Sequence, residues 1–187
     1  MMHRVTVSLL ASALVLATAC GGGGSDGGVV SGGGGSSTLT ASFTPEAANP
    51  GSNTVALGQG SLSANLVTLR VGVTDVDDVH HAAFEVVYDG AVVDFVDHSP
   101  GVLLEQGGNS PTYQVSEQGG KLVVGISRSG PTGTDANGTR TLVSFTFRVL
   151  QAGNTPIAFQ NYALMDSGFN AIGVTHWYGG TLAGTDN

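Results

Sequence analysis

Three stretches of this chain alternate apolar and polar residues with a period of two, and that period limits the fold more than any other feature. Ala82, Phe84, Val86 and Tyr88 fall on one side of the run, and Ala83, Glu85, Val87 and Asp89 on the other. Val67, Leu69, Val71 and Val73 alternate with Thr68, Arg70, Gly72 and Thr74. Val143, Phe145, Phe147 and Val149 alternate with Ser144, Thr146 and Arg148. Successive side chains of a strand point to opposite faces, so each run reads as a strand with one buried face. A helix would repeat its apolar residues every three or four positions, and no segment shows a convincing run of that kind.

Shorter strands fill the rest. Leu39 to Phe43 predicts the first, ended by Pro45 and Asn49-Pro50-Gly51, and Val55 to Leu57 a short one. Asp75-Val76-Asp77-Asp78 predicts a turn. Tyr88-Asp89-Gly90 predicts a tight turn that joins the Ala82 strand to a second, Ala91 to Val96, before Ser99-Pro100-Gly101. Leu103 and Leu104 fall in a loop. Tyr113 to Ser116 and Lys121 to Ser127 form a hairpin across Gln118-Gly119-Gly120, and Ser129 to Gly138 reads as loop. Ile157 to Leu164 and Gly173 to Leu182 complete the strands. The expected fold class is all-β, an eight- to nine-stranded antiparallel β-sandwich or jelly roll over residues 39–187, preceded by a disordered linker.

Composition bounds the partners. Six Lys and Arg against 14 Asp and Glu give a formal net charge of −8, with 30 glycines and 41% apolar residues. Nucleic acid is excluded as a partner, because phosphate neutralisation needs clustered basic residues and none cluster here. The apolar content is too high for a disordered acidic chain. A surface built from Ser, Thr, Asn, Gln and Gly suits an extracellular β-protein.

The N-terminus reads as an address. Residues 1–19 have a short basic start at His3 and Arg4, an apolar core from Val5 to Leu16, and small residues up to Ala19. That is the pattern of a secretory signal peptide. Leu16-Ala17-Thr18-Ala19-Cys20 resembles a bacterial lipobox, which implies lipidation at Cys20; an ordinary signal peptide with an incidental cysteine is the other reading. More than one acyl chain on Cys20 would hold the protein stably at a bilayer. Gly21 follows where an aspartate would resemble an inner-membrane retention signal, so an outer membrane is favoured in a two-membrane bacterium. Gly21 to Ser37 is a Gly/Ser-rich tether with an r.m.s. span of roughly 20–25 Å.

One family resemblance covers the folded part, from about Leu39 to Gly184. Tyr88-Asp89 followed by Val92-Val93-Asp94-Phe95-Val96-Asp97-His98-Ser99-Pro100-Gly101 resembles the cohesin domain, in which a Tyr-Asp-Pro strand end precedes an apolar strand closing on Pro-Gly. Lys121-Leu122-Val123-Val124, Thr141 to Val149 and Trp177-Tyr178-Gly179-Gly180 fall in the order of that family's later landmarks. The resemblance implies a nine-stranded jelly roll that docks a dockerin-type or other secreted protein and performs no catalysis. It implies docking on a sheet that includes the outward side of the Val79–Tyr88 strand, with polar contacts at His81 and Ala83 and others near Glu117 and Ser129. Well-studied members carry Asn and Asp at the first two positions. Ala83 offers no side-chain hydrogen bond, and Glu85 is next on the same side.

Other chemistry has weaker support. His80 and His81 lie beside Asp75, Asp77 and Asp78, but neighbouring strand residues diverge, so the two imidazoles do not readily share an ion. Calcium held by the Asp75–Asp78 turn stays open. No metal or cofactor is expected, and no serine lies in a nucleophile elbow. Asp94, Asp97 and Glu85 read as outward strand residues. The alternatives to docking are carbohydrate binding by Trp177 or Tyr178, paired with Tyr113 or Tyr162, and structural assembly at the cell surface.

Overall fold

The computed structural model describes residues 38–174 and 176–187. The expected signal peptide, the expected lipidation at Cys20 and the Gly/Ser tether fall outside the described residues. In chain order the strands are β1 (Leu39–Pro45), β2 (Thr54–Ser63), β3 (Leu66–Val79), β4 (His81–Val87), β5 (Val93–Pro100), β6 (Thr112–Glu117) and β7 (Lys121–Ser127). There follow β8 (Thr134–Val149), β9 (Gly153–Met165), β10 (Ala171–Ile172), β11 (His176–Tyr178) and β12 (Gly180–Asp186). One sheet runs β1-β12-β9-β4-β7-β6 with β10 beside β9, and the other runs β11-β2-β3-β8-β5. The expected all-β sandwich forms. Its segments outnumber the sequence expectation partly because β10 and β11 are two and three residues long, and β11 pairs with β2 in parallel.

The alternating runs behave as strands with one buried face should. Val67, Leu69, Val71 and Val73 are fully buried, as are Val143, Phe145, Phe147 and Val149. They meet Phe84, Val86, Leu122, Ile157 and Leu182 from the facing sheet in a single core. Phe84 anchors its centre, with ring centroids 5.6 Å from Phe159, 5.6 Å from Trp177 and 6.4 Å from Phe145. Each such side chain stabilises the fold by about 1.5–3 kcal/mol through burial.

Four expectations need correction, the first being the Ser129–Gly138 loop, whose residues 134–138 belong to β8 and pair with β3. Tyr88-Asp89-Gly90 does not close a hairpin: β4 lies in one sheet between β7 and β9, and β5 lies in the other against β8. A two-residue hairpin turn wants positive φ at its central residues, and neither Asp89 nor Gly90 has it. Asp89 instead takes Ala91 N–H on its carboxylate and Val92 N–H and Val93 N–H on its carbonyl, a coil that carries the chain across the sandwich.

Asp75–Asp78 is not a turn but part of β3, with a positive φ of 47° at Asp75 and 53° at Asp78. These irregularities let Val73, Val76 and Val79 all face inward at three-residue spacing. Asp75 accepts from Gly138 N and Ser52 Oγ, and Asp78 from Gly133 N, Ser167 N and Ser167 Oγ. The carboxylates therefore pin the bulges. Leu103 and Leu104 form one turn of helix, α1 (Val102–Glu105), with both leucines fully buried.

Candidate functional site

The outward face of the β9-β4-β7-β6 sheet is set by its register. Cross-strand partners share a face, which gives four rows. Met165, His81, Ser127 and Thr112 form the first; Ala163, Ala83, Gly125 and Gln114 the second. Gln160, Glu85, Val123 and Ser116 form the third, and Ala158, Val87 and Lys121 the fourth. The second row is made of small residues at its centre, so the sheet dips there. The result is a shallow hollow of about 380 Å³ bordered by His81, Gln114, Met165 and Phe169.

Gly125 has no structural need to be glycine. A Cβ built there meets nothing within 4 Å, and its φ is not left-handed. A glycine in a strand interior weakens the strand, and close approach by another molecule is one use of a glycine that packing does not explain.

Phe169 overlooks the hollow. It is 71% exposed and has a φ of 63°, an uncommon backbone for a bulky residue. Asp166 builds the turn that holds it, accepting from Gly168 N and Asn170 N on Oδ1. Hydrogen bonds from Asn170 backbone and side chain, with Gly168 N, keep the Asp166 carboxyl below its ordinary range. Strain of this kind collects at functional positions. The Phe169 ring stacks on His81 at 4.7 Å and 25°.

His81 is itself fixed. Buried His80 places Nε2 2.7 Å from Gly130 O and Nδ1 2.9 Å from His81 Nε2. A carbonyl only accepts, so Nε2 of His80 carries hydrogen, and in the neutral ring Nδ1 accepts from His81 Nε2–H. Burial, followed by the neighbouring His80, lowers the His81 pKa from its ordinary 6.5. Two adjacent histidines thus form a hydrogen-bonded pair that orients one ring toward the face.

Glu85 lies one row below the hollow's centre. Lys121 Nζ donates to Oε1 at 3.1 Å and Asn161 Nδ2 to Oε2 at 2.9 Å. The Lys121 bond, then the Asn161 bond, hold this carboxyl below its ordinary range. Glu117 is not on the face: it pairs with Leu122, whose side is inward, and accepts the Tyr88 hydroxyl at 3.1 Å. Burial first and the Glu117 bond second raise the Tyr88 pKa. Ser129 lies beyond β7 and ties two loops, donating from Oγ to Ser110 O and from N to Asn109 Oδ1. The face therefore gathers His81, Ala83 and Glu85, and adds Gly125 and Phe169, which sequence reasoning missed.

Of the expected aromatic pairs the structure brings together Trp177 and Tyr162, while Tyr178 meets neither Tyr113 nor Tyr162. Trp177 stacks on Tyr162 at 4.8 Å and 20°, and meets Phe159 edge-on at 5.1 Å. Tyr178 lies apart, 5.1 Å from His176. Tyr113 donates its hydroxyl to Gly101 O at 3.3 Å.

A sequence-family comparison decides the kinship. The cohesin domain family model matches residues 63–176, more than half of the chain. The chain belongs to the cohesin domain family. Solved cohesins share the fold at low identity. A non-cellulosomal cohesin from the hyperthermophilic archaeon Archaeoglobus fulgidus is 21% identical, with a TM-score of 0.50, 75% of this chain covered and 88% of that one. A type II cohesin from the cellulosome of Acetivibrio cellulolyticus is 13% identical, with a TM-score of 0.53 and coverages of 78% and 95%. The sixth cohesin of scaffoldin B from the same species, solved in complex with a dockerin, is 15% identical with a TM-score of 0.51 and coverages of 77% and 96%. No curated protein matches the chain by sequence.

Proposed function

We propose that this cohesin is a non-catalytic docking module that binds a dockerin-type partner through the outward face of β9-β4-β7-β6, while lipidated Cys20 holds it at the bacterial cell envelope. The observation that carries the reading is the hollow at Ala83 and Gly125 beside Phe169, whose backbone is left-handed and whose ring is exposed. A rigid aromatic beside a depression of small residues has the character of an interface hot spot. Below it, Glu85 stands as a pre-ordered acceptor, where Ala83 offers no side-chain bond.

The point at which the chain enters the sandwich, Thr38, supports the same reading. Thr38 exchanges backbone hydrogen bonds with Asn187, at the end of the sandwich where β9 begins. His81 pairs with Met165, where β9 ends. Along β9 the separation from Gly153 to Met165 is roughly 35–40 Å at ~3.3 Å per residue. A partner arriving from outside would meet the docking face at the end remote from the attachment point. The partner class we favour is a secreted, dockerin-bearing protein, with polysaccharide breakdown as the process such pairing would serve.

The test is capture from the host's secreted proteins with and without calcium, followed by mass spectrometry. A protein with paired calcium-loop repeats, retained by the native chain and lost on Phe169→Ala, is expected. Recovery of no specific partner in either condition would overturn the docking reading. Membrane fractionation of Cys20→Ser tests the anchor separately: release to the soluble fraction is expected, and unchanged membrane association refutes it.

A further inference from the structure

The outward face of the other sheet carries a second unexplained glycine, next to a cation whose side chain has no partner among the described residues. Gly58, Arg70 and Ser144 stand side by side across β2, β3 and β8, with Ala56, Gly72 and Thr141 in the adjoining row. The segment from Pro45 to Pro50 walls this surface into a trough of about 510 Å³. Its wall is fastened: Glu46 N donates to Gly179 O, Gly179 N to Glu46 Oε2, and Thr54 Oγ1 to Gly51 O. The Glu46 carboxylate is thereby engaged outside the trough, and no carboxylate residue lines it.

Packing accounts for one floor glycine and not the other. A Cβ on Gly72 would lie 2.8 Å from Thr139 Cγ2, whereas a Cβ on Gly58 meets nothing within 4 Å and its φ is ordinary. Gly58 thus leaves strand backbone open to a ligand that lies flat on it. Arg70 is the charged group beside this opening. Lys121 is paired with Glu85, and Arg128 donates to Leu104 O and Thr132 O. Among the described residues the side chains of Arg70, Arg140 and Arg148 have neither a hydrogen-bond nor an ion-pair partner, and of these three Arg70 is the one that lines the trough.

We infer that this trough binds a saccharide bearing an oxyanion, carboxylate or sulfate, with Arg70 taking the oxyanion and the sugar ring lying over Gly58. A guanidinium presents a planar fork matched to such groups. Thr141 supplies a hydroxyl for the sugar's own, and Pro45 and Pro50 supply apolar edges for its C–H faces. No aromatic side chain lines the trough, so the stacking that holds neutral glucans is missing and recognition depends on the charge. The chain's net charge of −8 opposes a polyanion at long range, but that repulsion is screened beyond ~8 Å at physiological ionic strength. This site is independent of the docking face, which lies on the other sheet.

Affinity electrophoresis of the full-length protein tests it, in native gels containing polygalacturonate, chondroitin sulfate or neutral hydroxyethylcellulose. Retardation is expected in at least one anionic gel and not in the neutral one, and the two anionic gels separate carboxylate from sulfate. Arg70→Gln and Gly58→Val should each weaken the retardation at least tenfold. The second places its Cβ where no atom lies within 4 Å and acts by filling the floor. Capture of the docking partner should be unchanged in both variants. No retardation in either anionic gel, equal retardation in the neutral gel, or retardation that either substitution leaves intact would overturn the proposal.

Discussion

Replacing Gly125 by valine should stabilise the module while weakening docking, an unusual pairing of effects that follows from the geometry. The position has an ordinary φ and no atom within 4 Å of an added Cβ, so the new side chain enters open space. Removing a strand glycine lowers the entropy lost on folding, and a β-branched residue suits a pleated surface; together these contribute about 1 kcal/mol. For a domain of this size that corresponds to a rise of about 2–4 °C in Tm. The same isopropyl group fills the hollow between Ala83 and Gln114, its cross-strand neighbours. Loss of a central interface contact costs about 2–4 kcal/mol, or roughly 30- to 700-fold in affinity. Differential scanning fluorimetry and calorimetric titration of the captured partner would read the two effects on one preparation. A fall in Tm would mean that the glycine serves the fold. Affinity within threefold of the native protein would mean that nothing docks in the hollow.

Other outcomes follow from the same structure. Phe169→Gly relieves a left-handed backbone and removes an exposed ring, so chemical denaturation should show stability unchanged or raised by up to ~1 kcal/mol while partner affinity falls at least tenfold. Phe145→Ala removes a fully buried ring that meets Phe84 and Phe95, and the same denaturation measurement should show a loss of about 3–5 kcal/mol. Asp78, Asp166 and Glu85 are held below their ordinary values of 3.8, 3.8 and 4.5 by hydrogen bonds. Their folded state therefore binds fewer protons than the unfolded chain, so their contribution is complete above about pH 4.5 and is lost as the pH falls through the depressed values. Melting curves between pH 6 and pH 2.5 should show that loss, with a shallower acid limb in Asp78→Asn.

Alternation made the central strands legible before any coordinates. Val67 to Val73 and Val143 to Val149 carry their burial in the pattern itself, because a period of two has one structural meaning in a long run. The β6–β7 hairpin was equally readable from Gln118-Gly119-Gly120, where Gly119 and Gly120 have φ of 57° and 87°. The crossing at Asp89-Gly90 was not, since the same dipeptide serves a hairpin or a coil and only the partner strands decide between them. Nor was the pair of irregularities at Asp75 and Asp78, because an aspartate-rich segment reads as a turn unless the inward valines at 73, 76 and 79 are already known to share a core.

The proposed docking face was legible in part. Strand parity put His81, Ala83 and Glu85 on one side. Glu117 has the opposite parity to Ser116 and turns to Tyr88, a fact fixed by the β6–β7 register. Gly125 and Phe169 left no mark in the sequence: one is unusual only because the space above it is open, and the other because its ring stacks on a residue 88 positions away.

Hydrogen–deuterium exchange on the full-length protein, alone and with its captured dockerin-type partner, tests the central claim most directly. The account predicts slowed exchange in residues 81–87 of β4, 121–127 of β7 and the turn at 166–170, with β2 and β3 unaffected. Slowed exchange confined to β2, β3 and β8, with none on β4 and β7, would contradict it.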